Sequence, residues 1–182
     1  DSYIDFSKYD EDGDGIIDNV FLFFAGGDEA NGAGENCIWS HSWYIHRGAG
    51  RTVYLDGKLL DCYACTSELN QDEELTGIGT FCHEYSHTFG LPDFYDTDYE
   101  TEGGWAAGLW GCTSLMDSGN TNNNGNTPPN FNAIERELLG IAEAQIIEAD
   151  GQYSLSPVNQ SNVFYRMETD QDGEYFLFEY RN

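Results

Sequence analysis

Positive charge is scarce in this chain. Of 182 residues only 7 are Lys or Arg, against 33 Asp or Glu, for a formal net charge of -26 with histidine neutral. Such a surface repels nucleic acid and anionic membranes, both polyanions, and argues against either as a partner. It favours bound cations, which neutralise clustered carboxylates. Also missing is any uninterrupted apolar run near the ~18 residues of a membrane-spanning helix, so no membrane insertion is expected. No positively charged leader followed by an apolar run is found, so no signal peptide is expected within this sequence. The five cysteines (Cys37, Cys62, Cys65, Cys82, Cys112) are an odd number, so at least one is unpaired. Cys62 and Cys65 have CxxC spacing, but no second pair follows at zinc-finger distance. Most of the five are expected to be buried packing residues or one incidental disulfide. Aromatics, by contrast, are plentiful: 12 Tyr, 11 Phe and 4 Trp supply enough apolar area for a core, which argues against global disorder. The length fits one domain with a small appendage.

Asn19–Ala25 (NVFLFFA), stopped by Gly26-Gly27, reads as a buried strand, and Cys37–Tyr44 as a second aromatic one. Asp56-Gly57, between Arg51–Leu55 and Lys58–Ala64, predicts a hairpin with a primed turn. The spacing of Ile78, Phe81, Cys82, Tyr85 and Phe89 predicts a helix over 76–89, with Gly90 as its stop. Gly77 and Gly79 lower the intrinsic propensity there, so tertiary contacts must hold it. Residues 91–130 show no period, and a loop that long is usually functional. After Pro128-Pro129, NFNAIERELLG reads as a second helix. Strands follow at Gln145–Glu148, Gln152–Leu155, Val163–Glu168 and Glu174–Tyr180, the last read as an interior strand.

The chemistry concentrates in His83-Glu84-Tyr85-Ser86-His87-Thr88-Phe89-Gly90-Leu91-Pro92-Asp93. Residues four apart on a helix sit one above the other, so His83 and His87 can share a metal. Glu84, one step round, can lie beside the open metal position, take a proton from a metal-bound water and deliver it to a leaving amine. Gly90 lets the chain leave the helix sharply, and Pro92 stiffens the approach of Asp93 as a third ligand. Two imidazoles and a carboxylate leave a fourth position for water, the catalytic arrangement for zinc. A chance HExxH in a chain with four His is roughly a one-in-a-hundred event, and the Gly and Asp at their offsets lower that about a hundredfold further. Downstream, Met116 in SLMDSG stands where a metzincin Met-turn places its thioether beneath the ligating histidines.

In order, DFSKYDEDGDGIIDNVFLFFAGG, IWSHSW, GTFCHEYSHTFGLPDFYDTD, SLMDSG and EYFLFEYRN resemble the immune inhibitor A-like metallopeptidases, secreted bacterial zinc endopeptidases with a metzincin-like fold. The resemblance covers almost the whole chain. It implies His83 and His87 as zinc ligands, Glu84 as catalytic base, and Asp93 as third ligand, with Asp96 close behind as the alternative. Metzincins more often place His at the third position. Many also carry a tyrosine two residues after the turn methionine. Ser118 stands there in this chain, leaving Tyr95 and Tyr99 as candidate transition-state stabilisers. Family domains extend beyond both ends of this sequence.

Asp10, Asp12, Asp14, Gly15 and Asp18 occupy positions one, three, five, six and nine of a calcium-loop pattern, and Ile16 would offer its carbonyl. Position twelve is Phe21 rather than Glu, so the loop is a shorter DxDxDG type, not an EF-hand. His41 is read as a residue satisfying a buried hydrogen bond, His46 as a surface residue, and Trp105–Trp110 as either cleft wall or core. The expected protein is α+β: a zincin/metzincin-like catalytic domain at 1–143, trimmed at its N-terminus, with a mixed sheet and an active-site helix, and a β extension of the same domain at 144–182. It would be an extracellular, monomeric zinc endopeptidase carrying Zn²⁺ and Ca²⁺ and acting on proteins or peptides. The competing reading is a calcium-stabilised extracellular binding or adhesion module with an inactive or incomplete zinc site. Peptide deformylase also uses HExxH, but its cysteine ligand needs an EGCLS-like segment that is not found here.

Overall fold

A computed structural model of the chain describes residues 3–98, 100 and 110–182. Strand β1 (Phe21–Phe24) is followed by β2 (His41–Tyr44), a short helix α1 (Ile45–Ala49), the hairpin strands β3 (Val53–Leu55) and β4 (Lys58–Leu60), and β5 (Cys62–Ser67). Then come α2 (Ile78–His87), α3 (Ala133–Leu138), β6 (Gln145–Ile146), β7 (Tyr165–Glu168) and β8 (Tyr175–Phe178). Two small mixed sheets result. In the first, β5 lies between β1, parallel to it, and β2, antiparallel. In the second, β7 lies between parallel β6 and antiparallel β8. The β3–β4 turn forms at Asp56 and Gly57, both with positive φ (48° and 81°), as the primed type demands.

Helix α2 packs across β5, with β2 and the turn at Ser118–Thr121 also against it. The glycines at its start are required by that turn. A Cβ on Gly79 would lie 1.7 Å from the Asn120 carbonyl oxygen, and one on Gly77 would lie 2.3 Å from the Gly125 carbonyl carbon. Helix α3 is only six residues long and is started by a capping box between Asn132 and Glu135. The compact apolar cluster of Leu91, Leu115 and Met116, with Phe94, Phe131 and Leu139 around it, lies directly beneath α2.

Three expectations need correction. β1 is an edge strand with Leu22 and Phe23 exposed, and β8 is likewise an edge with Phe176 and Phe178 exposed, so neither is interior among the described residues. Residues 152–155 form no strand: the Tyr153 hydroxyl turns back to the Ala149 carbonyl and its ring packs edge-on against Tyr165, so side chains rather than a ladder fix the segment. All five cysteines are free, and Cys62 and Cys65 point to opposite faces of β5 because strand side chains alternate.

Candidate metal centre

The buried face of α2 is not its apolar stripe. Ile78 and Phe89 are exposed, and Phe81 and Tyr85 pack beside Phe21 near the edge strand, whereas His83, Glu84 and Ser86 are buried. The helix therefore turns its polar side inward, over Leu115 and Met116. The His83 and His87 rings lie 4.8 Å apart at 86°. Each is oriented from outside the helix: His83 Nδ1 meets the Leu115 carbonyl at 2.9 Å, and His87 Nδ1 meets the Leu91 carbonyl at 2.7 Å. A carbonyl can only accept, so each Nδ1 carries the proton and each Nε2 presents a lone pair. Those Nε2 atoms lie 3.1 and 3.3 Å from Asp93 Oδ1.

Asp93 Oδ1 is buried and receives no hydrogen bond of good geometry. Three acceptors thus converge on one point, their ligand atoms within 4.8 Å of one another. Such a triad is unfavourable without a cation, and its two nitrogens and one oxygen suit a divalent transition metal. Burial works against a charged His87, but the Asp93 carboxylate and the Leu91 carbonyl outweigh it and raise its pKa. Burial likewise opposes ionised Asp93, but the two imidazoles hold its carboxyl well below the usual range. Asp96 does not join the triad, although its Oδ2 is also buried without a partner.

Glu84 lies beside the triad, its carboxyl raised by burial and partly restored by the His83 and His87 imidazoles. It borders a cleft of ≈ 350 Å³ whose lining includes Trp39, Thr80, Tyr95 and Ser118. A second hollow of ≈ 520 Å³, with Trp43, Tyr44, His87 and Asp93 in its walls, meets the first at Tyr95. An extended polymer crossing both would pass the three acceptors. Tyr95 stacks at 6.4 Å from the His83 ring, while Tyr99 and Trp105 lie outside the described residues. Trp110 packs against Phe94, at the rim of the apolar cluster.

Residues 3–142 match the family model described as immune inhibitor A peptidase M6, catalytic domain. The chain belongs to that family. It is 33% identical over 168 residues to immune inhibitor A of Bacillus thuringiensis subsp. alesti, covering 80% of this chain and 23% of that protein. It is also 33% identical over 134 residues to the pre-pro-metalloprotease PrtV of Vibrio cholerae serotype O1, covering 69% of this chain and 14% of that protein. The chain therefore spans less than a quarter of the length of these relatives. Membership of this peptidase family, with relatives named as metalloproteases, supports a metallopeptidase domain and implies a metal.

Near the N-terminus the structure brings Asp10, Asp12 and Asp14 together, with ligand atoms within 4.8 Å of one another. Asp18 is not among them, since its Oδ2 accepts the Glu11 N–H at 2.9 Å, and the Ile16 N–H donates to Asp14 Oδ1 at 2.7 Å. Lys58, from β4, was not anticipated: its ammonium pairs with Asp10 Oδ2 and holds that carboxyl below the ordinary range. Asp10 Oδ1 remains buried without a partner. His41 donates or accepts at both ring nitrogens, to the Trp39 carbonyl (2.7 Å) and the Tyr63 hydroxyl (2.8 Å), and His46 pairs with Asp61 at the surface. Two wholly buried carboxylates, Asp28 and Glu135, are not signalled by the sequence. Asp28 has no local motif. For Glu135, the N-x-x-E spacing with Asn132 signals a cap but not burial.

Proposed function

We propose that this chain is the catalytic portion of a secreted zinc endopeptidase, metzincin-like in fold, that hydrolyses internal peptide bonds of proteins. The observation that carries this reading is the convergence of His83 Nε2, His87 Nε2 and the unpartnered Asp93 Oδ1 on one point beside a buried Glu84. These three residues would hold the ion. Bound zinc supplies a Lewis acid that polarises the scissile carbonyl and acidifies water. The Leu115 and Leu91 carbonyls fix the tautomer and orientation of both imidazoles. Glu84, with its raised proton affinity, takes the proton of the attacking water and passes it to the leaving amine. Met116, wholly buried and next in the chain to Leu115, whose carbonyl meets His83, serves as the turn methionine. The unit comprises residues 1–143, with 144–182 as its β extension, tied on by Arg136 of α3 through Glu179 and the Phe164 ring. It acts as an extracellular monomer, and the charge of -26 keeps it from nucleic acid.

A second ion is part of this reading: Ca²⁺ at Asp10, Asp12 and Asp14, where the unpartnered Asp10 Oδ1 and the alternating carboxylates favour a hard cation. The main test uses two variants. Glu84→Gln should retain zinc, measured by elemental mass spectrometry, yet lose about 10²-fold or more of casein cleavage. His87→Ala should lose the metal itself. Unchanged turnover in Glu84→Gln would overturn the general-base role. A wild-type protein with neither zinc nor cleavage would favour a calcium-stabilised binding module.

A further inference from the structure

We infer that Glu135, far in sequence from the HExxH motif, is a positioning residue for the metal ligands, a role that rests on the zinc reading above. Its side chain is completely buried. Oε2 accepts the Asn132 N–H at 2.6 Å, which is the ordinary work of a capping box. Oε1 does something a cap does not require. It accepts the Ser114 hydroxyl at 2.5 Å and the Met116 N–H at 3.1 Å. The tripeptide Ser114-Leu115-Met116 is thereby fixed at both ends, and it braces two of the three ligands. The Leu115 carbonyl between those ends accepts from His83 Nδ1. The Met116 carbonyl accepts the Phe94 N–H at 2.8 Å, holding the residue next to Asp93.

The chemistry explains why a carboxylate stands here. All three partners of Glu135 are donors and they are shared between both oxygens. A glutamine would turn an NH₂ against either the Asn132 N–H or the Met116 N–H: the Ser114 hydroxyl can reverse to accept, but a backbone N–H cannot, so either the cap loses its bond or the Met116 N–H keeps only its 3.1 Å bond to Ser114 Oγ. A cap alone would keep its glutamate at the surface, where it costs less to hold ionised. Burial of this carboxylate makes sense only if Oε1 is needed at the turn. Partners one bond removed from a metal's ligands typically change affinity 10–100-fold when lost.

The test compares wild type, Glu135→Gln, Ser114→Ala and the remote core variant Ile17→Ala. Zinc affinity is measured by competition with a chromogenic chelator, the visible spectrum of the cobalt-loaded protein is recorded, and melting is followed on the metal-free protein. Glu135→Gln is expected to bind zinc about 10–100-fold more weakly with an altered cobalt spectrum. Ser114→Ala, which keeps the Met116 bond to Glu135, should lose about fivefold. Ile17→Ala should melt earlier yet keep wild-type affinity and spectrum. Should Glu135→Gln fail to fold, the Ser114→Ala affinity and spectrum decide the matter. Wild-type zinc affinity in folded Glu135→Gln, wild-type affinity and spectrum in Ser114→Ala, or losses in Ile17→Ala that match its lowered stability, would overturn the positioning role alone. A wild-type protein that binds no zinc would overturn the metal reading and this role together.

Discussion

Replacing Gly79 by alanine sets a general rule against this structure. In a helix interior the change should stabilise by about 1 kcal/mol, because glycine is the poorer helix former. Here the new methyl would sit 1.7 Å from the Asn120 carbonyl oxygen and 3.2 Å from Gly125 Cα. The obstacle is backbone, not the end of a flexible side chain, so the 118–125 segment must retreat by more than about 1 Å to reach van der Waals contact. That retreat also breaks the Gly79 N–H bond to the Gly125 carbonyl, 2.8 Å long, worth about 1 kcal/mol. Overpacking of this severity costs about 3 kcal/mol. Since the helix gain and the lost hydrogen bond nearly cancel, a net loss of about 3 kcal/mol remains, or about 6–12 °C in midpoint for a domain of this size. Thermal unfolding followed by far-ultraviolet circular dichroism measures it. Ser118 and Asn120 line the cleft beside Glu84, so peptide cleavage should fall as well. An alanine variant that melts at or above the wild-type midpoint would refute the packing argument.

Two further predictions concern the carboxylates outside the triad. Asp28 accepts from Ala30 N–H, Asn31 Nδ2, Ser40 N–H and Ser40 Oγ, all donors, so Asp28→Asn should cost about 2–4 kcal/mol in urea unfolding and raise hydrogen exchange over residues 29–40. Unchanged exchange there would show that the loop is held by other means. Millimolar Ca²⁺ should raise the melting midpoint, by the equivalent of about 2.7 kcal/mol at a hundredfold excess over Kd, and Lys58→Met should enlarge the effect by freeing Asp10 Oδ2. No response in either protein would leave the loop an acidic turn closed by lysine.

The sequence made the short-range features legible because each is written within a few residues. Helical spacing put His83 over His87, Asp56-Gly57 marked the β3–β4 turn, and the Gly90–Asp93 exit returned a carboxylate to the same point. What it hid depends on contacts distant in the chain. The apolar period of Ile78, Phe81, Tyr85 and Phe89 points to a buried stripe, yet the helix buries its polar face, where His83 meets the Leu115 carbonyl and the Asp93 carboxylate. Aromatic runs at β1 and β8 read as interior strands, since hydrophobicity does not distinguish a central strand from an edge. The glycines of α2 look like weak helix formers until Asn120 and Gly125 are seen against them. Glu135 and Asp28 are invisible for the same reason: burial of a carboxylate is decided by donors brought from elsewhere, Ser114 and Met116 in one case and Ser40 in the other.

These polar braces matter because the apolar core beneath the site is small. Among the described residues Leu91, Leu115 and Met116 are its buried members, too few side chains to fix the His83 and His87 rings by packing alone. Orientation comes instead from hydrogen bonds to carbonyls outside α2. The Leu115 carbonyl belongs to the turn held by Glu135, and the Leu91 carbonyl belongs to the exit segment that goes on to Asp93. Each imidazole is thus locked by a piece of backbone that also sets the position of a neighbouring ligand or its support. Three acceptors facing one another would otherwise separate, because their lone pairs repel and each could find a proton donor in water. Held where they are, they can be satisfied only by a positive charge arriving between them. The fold spends its buried carboxylate at Glu135 and its close glycine contacts at Gly79 on keeping that arrangement ready before the charge arrives.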